Sequence, residues 1–81
     1  MSYFVYVLQC IDGSYYTGST NNLEKRFSDH LSGRGGKYTR SHKVKKLVHK
    51  EELQTKSEAL KREAEIKKLT RKEKEILVNG S

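Results

Sequence analysis

Glu63 stands where a carboxylate is out of place. Helical residues advance about 100° each, so with Ala59 at zero Ile66 falls near −20° and Glu63 near 40°. On the same wheel Leu60 falls at about 100° and Ala64 at about 140°, which puts Glu63 inside an apolar stripe. Glu58 and Glu65 point to the polar side. A carboxylate facing a core is costly unless it is paired or holds a cation. Two roles fit: a buried ion pair with a neighbouring element, or a metal ligand or acid/base group. Lys67 lies at the stripe's edge, where a lysine can snorkel outward. Arg26 and His30 are four residues apart and lie one above the other, on the shoulder of a helix face made by Leu23, Phe27 and Leu31. They form either a solvated edge or a cation and a titratable ring that grip a phosphate. Between Gly33 and Lys46 there are six basic residues, Arg34, Lys37, Arg40, Lys43, Lys45 and Lys46, and no acidic one. The glycines of that segment, with Tyr38 and His42, suit a stretch that tracks a nucleic-acid backbone, since glycine N–H groups and lysines can line phosphates. Nothing in it suggests base readout.

These residues must be held by a small set of elements. Tyr3–Ile11 is rich in β-branched and aromatic residues and reads as a strand, and Asp12-Gly13 is a hairpin signal before a returning strand over Ser14–Ser19. Tyrosines in such strands are ordinarily packing residues. Asn21 followed by Glu24 predicts a helix running to about Ser32, stopped by Gly33-Arg34-Gly35-Gly36. Lys37–Lys46 reads as a basic loop with at most a short helical turn, and Lys46–Leu53 as a third strand. Thr55 with Glu58 opens a helix ending near Leu69; Thr70 with Glu73 opens another, ending near Val78 before Asn79-Gly80. The expected fold is α+β: a three-stranded antiparallel sheet with flanking helices in the order β-β-α-β-α-α.

A chain of 81 residues has room for one domain, taken as residues 1–81 with a core of about 3–78. Hydrophobic and charged residues each make up 33%, but the apolar ones are strongly patterned, which argues for a folded chain. The formal net charge of +7 points to a polyanionic partner, because each phosphate neutralised releases counterions. Cys10, the single cysteine, has no internal disulfide partner and sits in a strand pattern as a core residue, which suits a reducing, cytoplasmic compartment. The longest apolar run, Phe4–Leu8, is far too short to span a membrane and lacks the flanks of a signal peptide.

Phe4-Val5-Tyr6 followed by Tyr16-Thr17-Gly18 resembles the paired triplets of the GIY-YIG nuclease superfamily, in particular its short stand-alone bacterial members. Tyr6, Tyr16 and Gly18 keep the family's residues, whereas Phe4-Val5 and Thr17 replace its glycine and isoleucines. The segment Asn22–Arg26 with His30 resembles the one that supplies the family's arginine and histidine. Ser32–Arg40 is similar to the glycine-rich basic segment of the short members, and Ser57–Ala64 to the helix whose metal-binding glutamate falls on Glu63. The resemblance spans Tyr3 to about Val78. Several members carry an asparagine downstream of the glutamate, and Arg71–Leu77 has none.

The resemblance implies a metal-dependent endonuclease that hydrolyses DNA phosphodiester bonds, with structure-selective work in DNA repair or recombination. The alternatives are a nucleic-acid-binding module that has lost catalysis, or a subunit that needs a partner for substrate recognition. Tyr6, Tyr16, Arg26, His30 and Glu63 would form the catalytic set, with Mg²⁺ or Mn²⁺ on Glu63. Arg34, Lys37, Tyr38, Arg40, Lys43 and Lys45 would bind nucleic acid, DNA before RNA, with no membrane and no protein partner indicated. Arg26 would take the phosphate oxygens, and Tyr6 or Tyr16 would orient water and accept its proton. Free tyrosine titrates near ~10, so a phenol acting as base at neutral pH needs a nearby cation. A shared site also constrains the hairpin. A two-residue loop would place Tyr6 and Tyr16 on opposite faces, whereas the three-residue loop Ile11-Asp12-Gly13, with Gly13 left-handed, places them on one.

Overall fold

Phe4–Leu8 is an unbroken apolar run because the strand it forms is covered on both faces. The structure, a computed structural model, describes residues 2–79. Its elements are β1 (Tyr3–Cys10), β2 (Tyr15–Thr20), α1 (Leu23–Leu31), α2 (Lys37–His42), β3 (Val44–Leu53), α3 (Lys56–Lys67) and α4 (Arg71–Val78). β1 lies in the middle of a three-stranded antiparallel sheet of order β2-β1-β3. Val5 and Val7 point to one face and join Ala59 and Ile66 of α3 in a core completed by Leu69 and, from α4, Leu77 and Val78. Tyr6, Leu8 and Cys10 point to the other face and are also buried. Each buried aliphatic side chain of this kind is worth about 1.5–3 kcal/mol against exposure.

The β1–β2 turn is the three-residue loop. Leu8 pairs with Tyr16, and beyond the last ladder pair the Cys10 N–H donates to the Ser14 carbonyl at 2.8 Å. The Gly13 N–H donates to the Cys10 carbonyl at 2.9 Å, and Gly13 has φ 87°, a conformation cheap for glycine. Asp12 secures the turn by accepting from the Ser14 N–H and hydroxyl at 3.0 and 2.6 Å. From α4, Arg71 donates to the Gly13 carbonyl at 2.8 Å and lies over the Tyr15 ring.

Five local details depart from expectation, one of them in a strand. The α1 cap is Asn22 rather than Asn21: its side chain accepts from the Lys25 N–H at 3.1 Å, and the helix starts one residue later. Its buried face is centred on His30, the one buried residue of α1, while Leu31 is 54% exposed. Residues 37–42, expected as loop, form α2, so the element order is β-β-α-α-β-α-α. β3 begins at Val44, not Lys46, and carries two irregularities against β1 at which Val48 and Lys45 are the extra residues. On α3 the expected apolar positions Leu60 and Ala64 face solvent. The inward stripe is instead Ala59, Arg62, Glu63 and Ile66, with Arg62 gripping Glu51 of β3 through two bonds of 2.8 and 3.0 Å. Both capping boxes, Thr55 with Glu58 and Thr70 with Glu73, form reciprocally. Among the described residues no helix is long and apolar enough to cross a membrane.

Candidate active site

Strand pairing puts Tyr6 opposite Gly18 and Leu8 opposite Tyr16, so both phenols lie on the α1 face of the sheet. They converge on one imidazole. The Tyr6 hydroxyl and His30 Nε2 are hydrogen-bonded at 2.9 Å, and the Tyr16 ring centroid is 5.1 Å from that of His30. Gly18 makes this possible: a Cβ there would stand 2.5 Å from the Tyr6 hydroxyl oxygen and 2.7 Å from Cζ. The glycine of the second triplet is thus a space requirement imposed by the tyrosine of the first.

His30 is sealed from the other side. Its Nδ1 bonds the Thr39 hydroxyl of α2 at 2.8 Å, and both residues are almost fully buried. The Gly35 backbone runs so close over the ring that any β-carbon would collide with Nδ1. Arg26, one turn before His30, donates to the Gly35 carbonyl at 2.9 Å and anchors the loop. Burial, and then the Arg26 charge, push the His30 pKa below its ordinary value and keep the ring neutral. Tyr6 moves the other way. Burial raises its pKa above the usual phenol value, against a hydrogen bond from the Arg26 guanidinium that favours phenolate. That same contact with Tyr6 holds Arg26 more firmly protonated than usual. Tyr6 is 1% exposed, whereas Tyr16 keeps part of its surface in solvent.

Glu63 comes from the opposite helix layer. Its Oε1 accepts from the Ser19 hydroxyl at 2.6 Å, and its Oε2 meets the Lys67 ammonium at 2.7 Å. Ser19 alternates to the α3 face, so the carboxylate sits behind the sheet from the phenols, at the rim of β2. No hydrogen bond joins it to the tyrosines among the described residues, although its charge contributes to the raised Tyr6 pKa. The Glu63 side chain is 17% exposed and that of Lys67 is 54% exposed, so the pair remains open to water and to competing cations. β2 is a sheet edge, and a ligand lying along it touches both faces.

A metal finds limited help here. Among the described residues no group of three or more histidine, cysteine, aspartate or glutamate side chains could hold one. The donors fit a hard divalent ion held by one carboxylate, with water and a substrate phosphate filling its sphere, a mode common for Mg²⁺. The Lys67 ammonium on Oε2 shows that the position accepts a cation.

The basic segment lies alongside the phenols. Lys37, Arg40, Lys43, Lys45 and Lys46 are exposed, and Arg34 is exposed beside Asp29 at 3.9 Å. Tyr38 stacks on Tyr16 at 5.6 Å and on His42 at 4.2 Å, and His42 in turn bonds Asp12 at 2.8 Å. An aromatic file therefore runs from the hairpin loop to the phenol pair. Sequence reasoning passed over Ser19, Gly35 and Thr39. Gly35 reads as a helix stop in a glycine cluster, and neither hydroxyl carries a local signal, because its partner is 44 residues away for Ser19 and nine for Thr39.

Known proteins resemble this chain over nearly its whole length. A family model described as the GIY-YIG catalytic domain matches residues 2–76. A UPF0213 protein of Natronomonas pharaonis is 50% identical over 76 residues, spanning 94% of this chain and 89% of that protein. A UPF0213 protein of Clostridium perfringens is 53% identical over 77 residues, spanning 95% and 83%. The solution NMR structure of a UPF0213 protein from Bacillus halodurans superposes with a TM-score of 0.62 at 44% identity, covering 98% of this chain and 84% of that one. With that model matching residues 2–76 and relatives about half identical over nearly the full length, the chain belongs to the GIY-YIG family.

Proposed function

We propose that this protein is a divalent-metal-dependent endonuclease that hydrolyses DNA phosphodiester bonds, with structure-selective work in DNA repair or recombination. One observation carries the reading: two phenols, an arginine and a neutral histidine are packed together on one face of the sheet beside the β2 edge, with a solvent-reachable carboxylate on the other side of that edge. Such a set serves phosphate chemistry, which needs an oriented nucleophile and charge stabilisation. Arg26 holds the non-bridging oxygens of the scissile phosphate. Tyr16, the partly exposed phenol, orients the attacking water and takes its proton. Tyr6 is sealed and its pKa is raised, so it stays a neutral phenol that braces His30 beside Tyr16 and does not take the proton. Glu63 would hold Mg²⁺ or Mn²⁺, which when bound supplies positive charge for the leaving oxygen. Arg34, Lys37, Tyr38, Arg40, Lys43 and Lys45 bind the flanking backbone by charge and not by base identity.

The test is incubation with branched, flapped and single-stranded DNA in Mg²⁺ or Mn²⁺. Cleavage by the native chain that is lost in Glu63→Ala and Tyr16→Phe supports the proposal. Loss on Tyr6→Phe with Tyr16→Phe still active reverses the roles of the tyrosines. The Lys67 ammonium already seated on Glu63 favours a second reading, a nucleic-acid-binding module without catalysis. Salt-sensitive binding with no cleavage in any metal selects that reading.

A further inference from the structure

Each oxygen of the Glu63 carboxylate already has a protein partner, and the two partners are held very differently. Oε1 accepts from the Ser19 hydroxyl at 2.6 Å, and Oε2 meets the Lys67 ammonium at 2.7 Å. Ser19 is fixed in β2 by its pairing with Val5 of β1. Lys67 is the last residue of α3, on a long flexible stem, with 54% of its side chain exposed. Among the described residues it is the one cation in an ion pair with Glu63. The adjacent Arg62 is taken up by Glu51 at 2.8 Å and by Glu65 at 3.3 Å. A divalent ion on either oxygen of Glu63 would face the ammonium as a like charge across a few ångströms. A half-exposed pair four residues apart on a helix is weak, so the ammonium can leave where Ser19 cannot.

We propose that Lys67 is a resident counter-ion that competes with the divalent metal for Glu63 and so sets the metal affinity of the site. The ammonium swings into solvent as the ion is taken up, and the Ser19 hydroxyl keeps the carboxylate aimed at the rim of β2 throughout. The inference rests on Glu63 as the metal position, and so on the metal-dependent reading, and it adds the residue that opposes loading. The exchange also changes the sign of the edge. Glu63 with Lys67 is a neutral pair, whereas Glu63 with a divalent ion and a released ammonium nearby is a cationic patch. A phosphodiester is therefore attracted to the loaded edge and far less to the unloaded one.

Titration of the full chain with Mn²⁺ alone tests this, followed by paramagnetic broadening of the backbone amide signals in NMR. In the native protein the broadening should centre on Ser19 and Glu63. Lys67→Met should tighten Mn²⁺ by about 3–10-fold, the scale of one like charge removed from a few ångströms in salt water. Lys67→Arg keeps the charge and should stay near the native affinity. So should Lys61→Met, which removes an exposed lysine from the far side of α3 and changes the net charge by the same amount. Unchanged or weaker binding in Lys67→Met overturns the proposal, as does an equal gain in Lys61→Met, which would reduce the effect to net charge. In either case Glu63 stands as the metal position provided that Glu63→Gln abolishes the broadening. Broadening that persists in Glu63→Gln, or that never appears around Ser19 and Glu63 in any variant, removes the metal position itself and the proposal with it.

Discussion

Replacing Gly18 with alanine should damage the protein through the phenol ring of Tyr6. The new methyl carbon would lie 2.5 Å from the phenol oxygen, 2.7 Å from Cζ and 3.2 Å from Cε2. Ordinary contact begins near ~3.5 Å, so the ring must retreat by about 1 Å. It has no free direction, being 1% exposed and bonded to His30 at 2.9 Å. Overpacking of this kind costs about 1–3 kcal/mol, and losing the buried hydrogen bond adds roughly 1 kcal/mol. Alanine returns about 0.4–1 kcal/mol by restricting the unfolded chain. The net loss is therefore about 2–3 kcal/mol, a large share of the roughly 4–12 kcal/mol expected for a domain of this length. At about 4–8 °C per kcal/mol, Tm should fall by roughly 10–20 °C. Urea unfolding of the native chain, Gly18→Ala, Tyr6→Phe and the double variant tests the cause. Removing the hydroxyl takes away the nearest atom, so the alanine should cost about 1 kcal/mol less in the Tyr6→Phe background. Additive effects would refute the assignment of the clash to the phenol hydroxyl.

Thr17 stands where the family has isoleucine; its hydroxyl is buried and without a hydrogen-bond partner among the described residues. Thr17→Val should raise stability by about 1 kcal/mol in urea unfolding, since the shape is kept and an unsatisfied donor removed. Glu51 is held below the usual carboxylate range, chiefly by Arg62 and then by His49, against partial burial. A depressed pKa stabilises the fold above the unfolded value of about 4.3 and loses that contribution as pH falls through the folded value. Glu51→Gln should therefore be less stable than the native chain near neutrality and converge with it in acid, as followed by thermal melts between these limits. Lys37→Ala and Arg40→Ala should each weaken binding to duplex DNA of any sequence. By fluorescence anisotropy across a salt series, each should reduce the slope of log K against log salt by about 0.9 if the side chain contacts a phosphate.

The parts of the fold that depend on local pattern were readable before any coordinates. Thr55 with Glu58 and Thr70 with Glu73 start helices because each box closes within four residues of chain. The hairpin loop followed from requiring two tyrosines on one face, and Gly13 took the conformation this demanded. Glu63 was placed inward from helix geometry alone, though its carboxylate settled on Ser19 and Lys67 at the sheet rim, not among the phenols. The departures share a cause, which is that tertiary contacts override a weak local signal. Leu31 and Leu60 are apolar but find no partner in so thin a core, whereas His30 and Arg62 are polar and find several. α2 has a sequence with low helix propensity and forms because Thr39 and Tyr38 meet partners brought by α1 and β2.

The shortness of α2 bears on how the protein responds to a polyanion. Six residues are well below the roughly 12–15 that hold a helix alone in water, so this turn depends on its docking. Its amides should exchange with solvent through a local opening, long before those of β1, which require global unfolding. Lys37 and Arg40 ride on the same turn, and a bound phosphate chain would have to peel away with it. Occupancy should then appear as slowed exchange confined to residues 37–42, and the opening that releases the backbone contact would also uncover the imidazole. Grip on the strand and order around the ring are thus gained and lost in one local transition.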